Sequence, residues 1–451
     1  MQTNTKELSI KQDYGASCRQ MFWPMLAVFY AMFVVRNVLS VAFPIFLYLA
    51  WIAVMALVFN DTEIKALIIS FIPLVPGFQS KYAVLVCMIF LLIKYIKRLR
   101  VPLFVFIVLF LMFWEYLHLS EGYSSTAEYL SGFAPLMCLA VVVCLPTKHE
   151  DISFFSRVLA VSLAVGSLIL LANTVLGSQQ SLISLIQEGF RLGAVEEAES
   201  YQITYNANGL GYLCNLVIAS LLINVYFKRA KKIDYFLMAF AIVIGCLTVS
   251  RTFLLCLAGT FVLYILLQEK NAMHKVKVFA AVVVILIFAV VALKIVAPNI
   301  IDNYVDRFRA EDITGGRAFL NDFYNELITS SPKNLWYGIG IQNINLKIWQ
   351  LKGVEVNNPH NGYQQMLVAW GVVGLVLMML FILFMALYAR KKNPRAPLMC
   401  YLPLILLLIN ILAGQLVTSG SKLLSLVFIY LMICNGGKGT VKKLNGTEND
   451  K

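Results

Sequence analysis

The sequence predicts an all-α polytopic integral membrane protein with about fourteen transmembrane helices, twelve as the lower count, and a large outer loop containing short helices. Three observations carry this. The 451-residue chain is 60% hydrophobic and only 14% charged, whereas soluble domains carry about a quarter charged residues. Apolar runs near the ~20 residues that a helix needs to cross a bilayer recur along almost the whole length and leave no room for a separate soluble domain. Lys and Arg collect in short loops between those runs: Lys94, Lys97, Arg98 and Arg100; Lys228, Arg229, Lys231 and Lys232; Lys270, Lys275 and Lys277; Arg390, Lys391, Lys392 and Arg395. That clustering is the signature of cytoplasmic loops. It accounts for the formal charge of +13 without any nucleic-acid partner.

Threaded from a cytoplasmic N-terminus, the spans fall at roughly 21–35, 38–59, 64–78, 81–96, 101–119, 128–146, 152–176, 206–227, 233–250, 252–268, 277–297, 363–388, 397–416 and 420–435. Every basic cluster then lies inside. The first four runs are short, which keeps twelve spans open. The chain divides into N-terminal helices (1–176), a smaller outer loop (177–205), central helices with a Ser-Arg turn (206–297), a large outer loop (298–362), and C-terminal helices with a tail (363–451). No small-residue cleavage site follows the first apolar run, so it reads as a retained helix rather than a signal peptide. The nine cysteines lie in or beside apolar runs and none is in either long outer loop. That excludes a disulfide framework and a metal-ligand spacing, and no cofactor is expected.

Loops as long as the two outer ones usually carry function. The smaller holds Glu188, Arg191, Glu196, Glu197 and Glu199. In the larger, AFLNDFYNELI (318–328) sets Leu320, Phe323, Tyr324, Leu327 and Ile328 on one helical face and Asn321, Asp322, Asn325 and Glu326 opposite. This amphipathic segment lies at the membrane surface or packs on the bundle. The larger loop counts six Lys/Arg against seven Asp/Glu. Any anion site there must therefore be local.

Of four histidines, His149 and His274 fall in cytoplasmic loops, His118 ends the fifth span, and His360 alone sits in a long outer loop. In NNPHNGYQQM, Asn361 can cap the helix that follows, with Gln364 three residues on to return a hydrogen bond as in a capping box. His360 would then stand at a helix N-terminus, where the helix dipole and nearby arginines disfavour imidazolium. A neutral ring can act as a general base; it can equally do no more than satisfy backbone groups. Glu115, at the outer end of its span, is either a second acid or base or a helix-packing hydrogen bond.

Arginine suits a phosphate because its planar fork donates two parallel charge-assisted hydrogen bonds. Arg251 lies in TVSRTF at a tight outer turn with strongly apolar neighbours, a depth at which a guanidinium calls for an anionic partner. Arg317 follows a Gly-Gly pair, Arg191 lies in the smaller loop, and Arg307 and Arg309 form an RFR step. The bland alternative for each is an ion pair with a nearby acid, and Asp302, Asp306, Glu311 and Asp312 are close to the RFR step. Gly338 and Gly340 in WYGIGIQN lack the strand and third glycine of a dinucleotide fingerprint, so they read as a tight turn. YNANGLGY, with Tyr205, Asn206 and Asn208, reads as a helix start.

Taken together, GGRAF, the WYGIGIQN turn and NPHNGYQQMLVAWGVVGL resemble the O-antigen ligase and O-antigen polymerase superfamily of bacterial surface-polysaccharide assembly. The resemblance covers roughly Val249 to Tyr388, and the Ser-Arg turn of Arg251 fits it. It implies a membrane glycosyltransferase in the bacterial cytoplasmic membrane, with its site facing the periplasm or cell exterior. The donor would be an undecaprenyl-pyrophosphate-linked oligosaccharide. Carried over by motif, Arg251 and Arg317 would hold the pyrophosphate and His360 would serve the acceptor hydroxyl. Arg191, Arg307, Arg309 and Asn361 would be substrate-binding, although the sequence after Arg191 does not reproduce a clear family pattern. Neither outer loop has an Asp-x-Asp motif, and the resemblance implies inversion without metal. A polymerase would extend another lipid-linked repeat unit alongside a chain-length regulator and a flippase; a ligase would transfer polymer to lipid A core. Fourteen spans and two long outer loops favour the polymerase. A flippase would bind near the bilayer midplane and often shows repeated halves, and no internal repeat is visible.

Overall fold

The computed structural model describes residues 2–39, 41, 44–74, 80–119, 126–146, 150–193, 205–309, 317–353 and 359–437. Each of the fourteen apolar runs contains a helix, and no strand occurs among the described residues. The first half holds α1 (Gln2–Val38), α2 (Ile45–Val58), α3 (Asp61–Phe71), α4 (Ser80–Tyr95), α5 (Phe106–His118), α6 (Thr126–Cys144) and α7 (Ile152–Ser178). A short α8 (Leu182–Glu188) precedes α9 (Ala207–Tyr226), α10 (Lys232–Leu247), α11 (Arg251–Leu266) and α12 (Ala272–Val296). The large loop folds into α13 (Pro298–Arg309), α14 (Arg317–Thr329), α15 (Pro332–Tyr337) and α16 (Ile344–Lys352). The chain closes with α17 (Gly362–Lys392), α18 (Leu402–Asn410) and α19 (Gly420–Asn435), α18 being lengthened by 3-10 turns at Leu398–Tyr401 and Ile411–Ala413.

Among the described residues, four segments are long and apolar enough to cross a membrane unaided: Arg19–Val38, Ile152–Ser178, Ala207–Tyr226 and Gly362–Lys392. The span expected at 64–78 differs. α3 has 11 residues, about 17 Å at 1.5 Å per residue, against a hydrocarbon core of ~30 Å. Its first turns carry Asp61, Glu63 and Lys65, all buried. Lys65 Nζ lies 2.6 Å from Glu150 Oε1 and 3.7 Å from Asp61 Oδ2, and Asn435 donates to Glu150 Oε2 at 3.1 Å. The Lys65, Glu150 and Asp61 charges can sit in a core because they partner one another. Residues 75–78 of that run lie outside the described residues.

Hydrogen bonds define two ends of the bundle. At the basic end, Lys94 Nζ donates to the carbonyls of Ala56, Leu57 and Phe59 at the close of α2. Lys392 Nζ reaches the Leu145 carbonyl (3.2 Å) and the Tyr430 hydroxyl (3.0 Å), tying α17 to α6 and α19. Arg157 grips Asp234 with two bonds of 2.7 and 2.9 Å. At the opposite end, here the loop end, α8 and α13–α16 pack on the bundle. Between the ends, α19 is buried from Ser421 to Asn435, which is why its sequence is apolar on every side.

α17 is not one helix. Gly371 has φ 67 and ψ −170, a break that frees carbonyls one turn earlier. The WYGIGIQN turn takes them: Ile339 N–H donates to Val368 O (3.0 Å) and Gly340 N–H to Ala369 O (2.8 Å). A Cβ on Gly371 would stand 2.3 Å from the Trp336 carbonyl, and one on Gly338 2.3 Å from that of Ala369. The glycines are there because backbone meets backbone. Glu115 fastens the junction, accepting from Ile341 N–H (2.9 Å) and from the Trp370 indole (2.8 Å). Of the two readings of Glu115, the packing one is what the geometry displays.

Candidate active site

α10 ends and α11 begins in the turn Thr248-Val249-Ser250. Ser250 caps α11, its hydroxyl accepting from Phe253 N–H (3.3 Å) and donating to Asn208 Oδ1 (2.7 Å). Asn208 lies in the first turn of α9, which starts where the sequence predicts and is capped by Asn206. Val249 is buried with φ 46. A β-branched residue in the left-handed region stores of order 1–3 kcal/mol of strain, and such outliers cluster at functional sites.

Three arginines converge on this turn from separate elements. Arg191, beyond α8, donates from Nε to Thr248 O (3.1 Å). Arg307, in the last turn of α13, donates from Nη1 to Val249 O (2.5 Å). Arg251, the first residue of α11, donates from Nη1 to Arg307 O (2.7 Å). α13 is held in register by Tyr304, whose hydroxyl donates to Cys246 O (2.9 Å), and by Asn303, which donates to Gly189 O (2.7 Å). Burial pushes the Tyr304 hydroxyl up, so it remains a donor.

Among the described residues, Arg251 and Arg307 have no carboxylate within salt-bridge distance. Their contacts are to carbonyls, which position a guanidinium without neutralising it. Burial, and then the like charge of Arg251, pull the Arg307 guanidinium below its usual range. An anion would relieve that repulsion. Arg309, at the end of α13, is exposed and makes no hydrogen bond to the turn.

His360 is half-buried, immediately ahead of α17. Asn361 caps that helix as predicted, its side chain accepting from Tyr363 N–H (3.0 Å) and Gln364 N–H (3.3 Å). The capping-box return is not made. Gln364 instead donates across to α14, to Asn321 O (3.2 Å) and Asn325 Oδ1 (3.0 Å). Tertiary packing of α14 outbids the local bond. The amphipathic segment is thus α14, with Tyr324, Leu327 and Ile328 buried, packed against α15 and α17. The next residue, Gln365, is buried and accepts from the Leu416 and Val417 N–H groups (both 3.1 Å). It also donates to Thr418 (2.8 Å).

Arg317 opens α14; its side chain lies outside the described residues, as do Gly315, Gly316, Glu311, Asp312, His149 and the acids at 196, 197 and 199. Its backbone position is informative. Arg317 is one turn ahead of Asn321, and His360 one turn ahead of Gln364, so both flank the contact between those two residues. Arg251 is linked to the same region through α18. α11 packs on α18, and the end of α18 packs on the first turn of α17, with Tyr363 donating to Leu408 O (3.1 Å). Arg191, Arg251 and Arg307 therefore form one cluster at the loop end, and His360 and Arg317 mark a second group beside it. Sequence reasoning held Arg307 as substrate-binding with a local ion pair as the alternative, and missed Tyr304, Gln365 and Thr418. The strong amphipathic pattern of α13 was a signal that this helix docks.

The fold and this cluster define a polytopic helical membrane protein that gathers guanidinium groups at one end of its bundle. Residues 236–379, about a third of the chain and including Arg251, Arg307, Arg317 and His360, match the family described as O-antigen ligase. That stretch is similar to this family, which supports the resemblance to the O-antigen ligase and polymerase superfamily. No curated protein matches the chain.

Proposed function

We propose that the protein is a polysaccharide repeat-unit polymerase of the bacterial cytoplasmic membrane. It threads the bilayer about fourteen times and works at the periplasmic or outer face. Its donor is an oligosaccharide on undecaprenyl pyrophosphate, its acceptor the non-reducing-end hydroxyl of another lipid-linked repeat. The observation that carries this reading is the gathering of Arg191, Arg251 and Arg307 on one strained turn, held by carbonyls. Fixed guanidinium groups of that kind stabilise charge developing on a departing pyrophosphate.

In the reaction, the acceptor oxygen attacks the anomeric carbon from the side opposite the pyrophosphate, and configuration inverts. The bond from that carbon to the phosphate oxygen breaks, and its electron pair leaves with undecaprenyl pyrophosphate. The hydroxyl proton passes to the His360 imidazole. Arg251, with Arg191, Arg307 and Arg317, holds the leaving group, and no metal is invoked. A flippase would supply the donor and a chain-length regulator would set polymer size.

The alternative reading is the ligase, and the family description itself favours it. Deleting the gene separates the two on a gel of surface polysaccharide. Core capped with a single repeat supports the polymerase, and uncapped core with lipid-linked polymer the ligase. In the polymerase reading, His360→Ala abolishes polymer while the protein still accumulates in the membrane. Normal polymer from that variant would sink the assignment.

A further inference from the structure

Three of the four basic clusters have a property that membrane topology does not require. The loops after α9, between α11 and α12, and after α17 close around one cavity of about 960 Å³ at the basic end. Lys228, Lys270, His274, Arg390 and Arg395 line it, and among the described residues Glu269 is its only acid. A charge bias that merely orients helices places cations on one side of the membrane; it does not aim them into a shared concavity. Lys228 is also held at φ 56, a left-handed conformation in which the chain turns at the cavity's edge.

The walls narrow the ligand. Tyr226, Phe227 and Tyr264 supply aromatic surface, and Val278 and Leu398 carry it outward. Beside the cavity, Leu266, Met273, Val276 and Leu398 are each about 60% exposed, an apolar belt suited to acyl chains. The volume far exceeds that of one phosphate ion. Basic pockets between helices at the cytoplasmic boundary suit phosphate headgroups whose chains remain in the bilayer.

We propose that this cavity binds the headgroup of an anionic phospholipid, a phosphodiester held by Lys270, Arg395 and their neighbours. The site lies at the opposite end of the bundle from the arginine turn and does not rest on the transferase reading.

The test is lipid retention by the full-length protein in detergent, read by native mass spectrometry after adding cardiolipin, phosphatidylcholine or inorganic pyrophosphate. Wild type should retain cardiolipin in preference to phosphatidylcholine. Lys270→Ala with Arg395→Ala should lower occupancy at least about tenfold, since each basic residue near a headgroup is worth roughly fivefold. The charge-preserving pair Lys270→Arg and Arg395→Lys should keep it. Lys97→Ala with Arg98→Ala, in a cluster that does not line the cavity, should leave it unchanged. Equal losses in the two alanine pairs would mean diffuse surface charge and overturn the proposal. Displacement of cardiolipin by equimolar pyrophosphate would also overturn it, in favour of a free-anion site.

Discussion

The two ends of the bundle hold positive charge differently. At the basic end three cations have a carboxylate: Lys65 has Glu150 and Asp61, Arg157 has Asp234, and the part-exposed Arg19 has Asp151 at 2.9 Å, while Lys94 and Lys392 rest on carbonyls and a hydroxyl. At the loop end Arg251 and Arg307 have carbonyls. Carbonyl dipoles fix direction but leave net charge for something else to meet. Lys65 and Arg157 carry their counter-ions within the fold, whereas no described carboxylate meets the charge of Arg251 or Arg307.

That contrast breaks most sharply at Lys65. Removing it strands Glu150, which is buried with a side chain 0% exposed, and such an orphaned charge costs about 3–5 kcal/mol. Lys65→Met should therefore abolish most folded protein in detergent-solubilised membranes, measured by size-exclusion chromatography. Adding Glu150→Gln should recover much of it. At the loop end the loss should appear in function rather than folding. Arg251→Ala or Arg307→Ala should reduce polymer formation by about 10²–10³-fold, the scale for removing one preorganised donor, while folded protein stays near wild type. Arg251→Lys, which keeps charge but loses the fork, should fall between. If either alanine variant instead failed to accumulate, the arginine would be structural and the contrast would collapse.

The same division explains what the sequence disclosed. Apolar runs and basic loops located all fourteen helical segments, because desolvation acts on stretches of chain and needs no knowledge of neighbours. The Asn361 cap and the helix start at YNANGLGY were legible for a like reason, since a cap bonds residues two or three positions away. What the sequence hid was long-range. Lys65 meets Glu150 across 85 positions, so the ion network at the start of α3 went unseen. Arg307 meets Val249 across 58 positions; its sequence neighbours Asp302 and Asp306 offered an ion pair as the alternative, and nothing local pointed to Val249. Gln364 had a local partner available and took a distant one. Arg251, whose apolar surroundings are local, stood out as a candidate from the sequence alone.

A smaller effect is expected where the two ends are mechanically joined. The break at Gly371 sits between the Pro-His-Asn helix start and the long lower half of α17, which runs to Lys392 at the basic end. Gly371→Ala adds a Cβ against the Trp336 carbonyl at a positive φ, a strain of order 1–3 kcal/mol. Its melting temperature should fall, and activity should fall further than the lost folded fraction. Straightening the helix would withdraw Val368 and Ala369 carbonyls from the turn that supports the site. Activity that tracked folded protein alone would show that the break serves packing only.

The smallest expected effect is the most discriminating. Arg309 shares a helix end, a charge and an RFR step with Arg307, and sequence arguments treat the pair alike. Yet Arg307 bonds the strained turn, whereas Arg309 is exposed and has no bond to it. If the loop end acts by positioned guanidinium groups, Arg309→Ala should change polymer yield by no more than about twofold, as for ordinary surface substitutions. If it acts by a general positive field, the two alanine variants should lose activity alike, with both losses shrinking at high ionic strength because exposed charges are screened. Assaying the pair at two salt concentrations therefore asks whether geometry or net charge does the work, and a large, salt-insensitive deficit confined to Arg307→Ala answers for geometry.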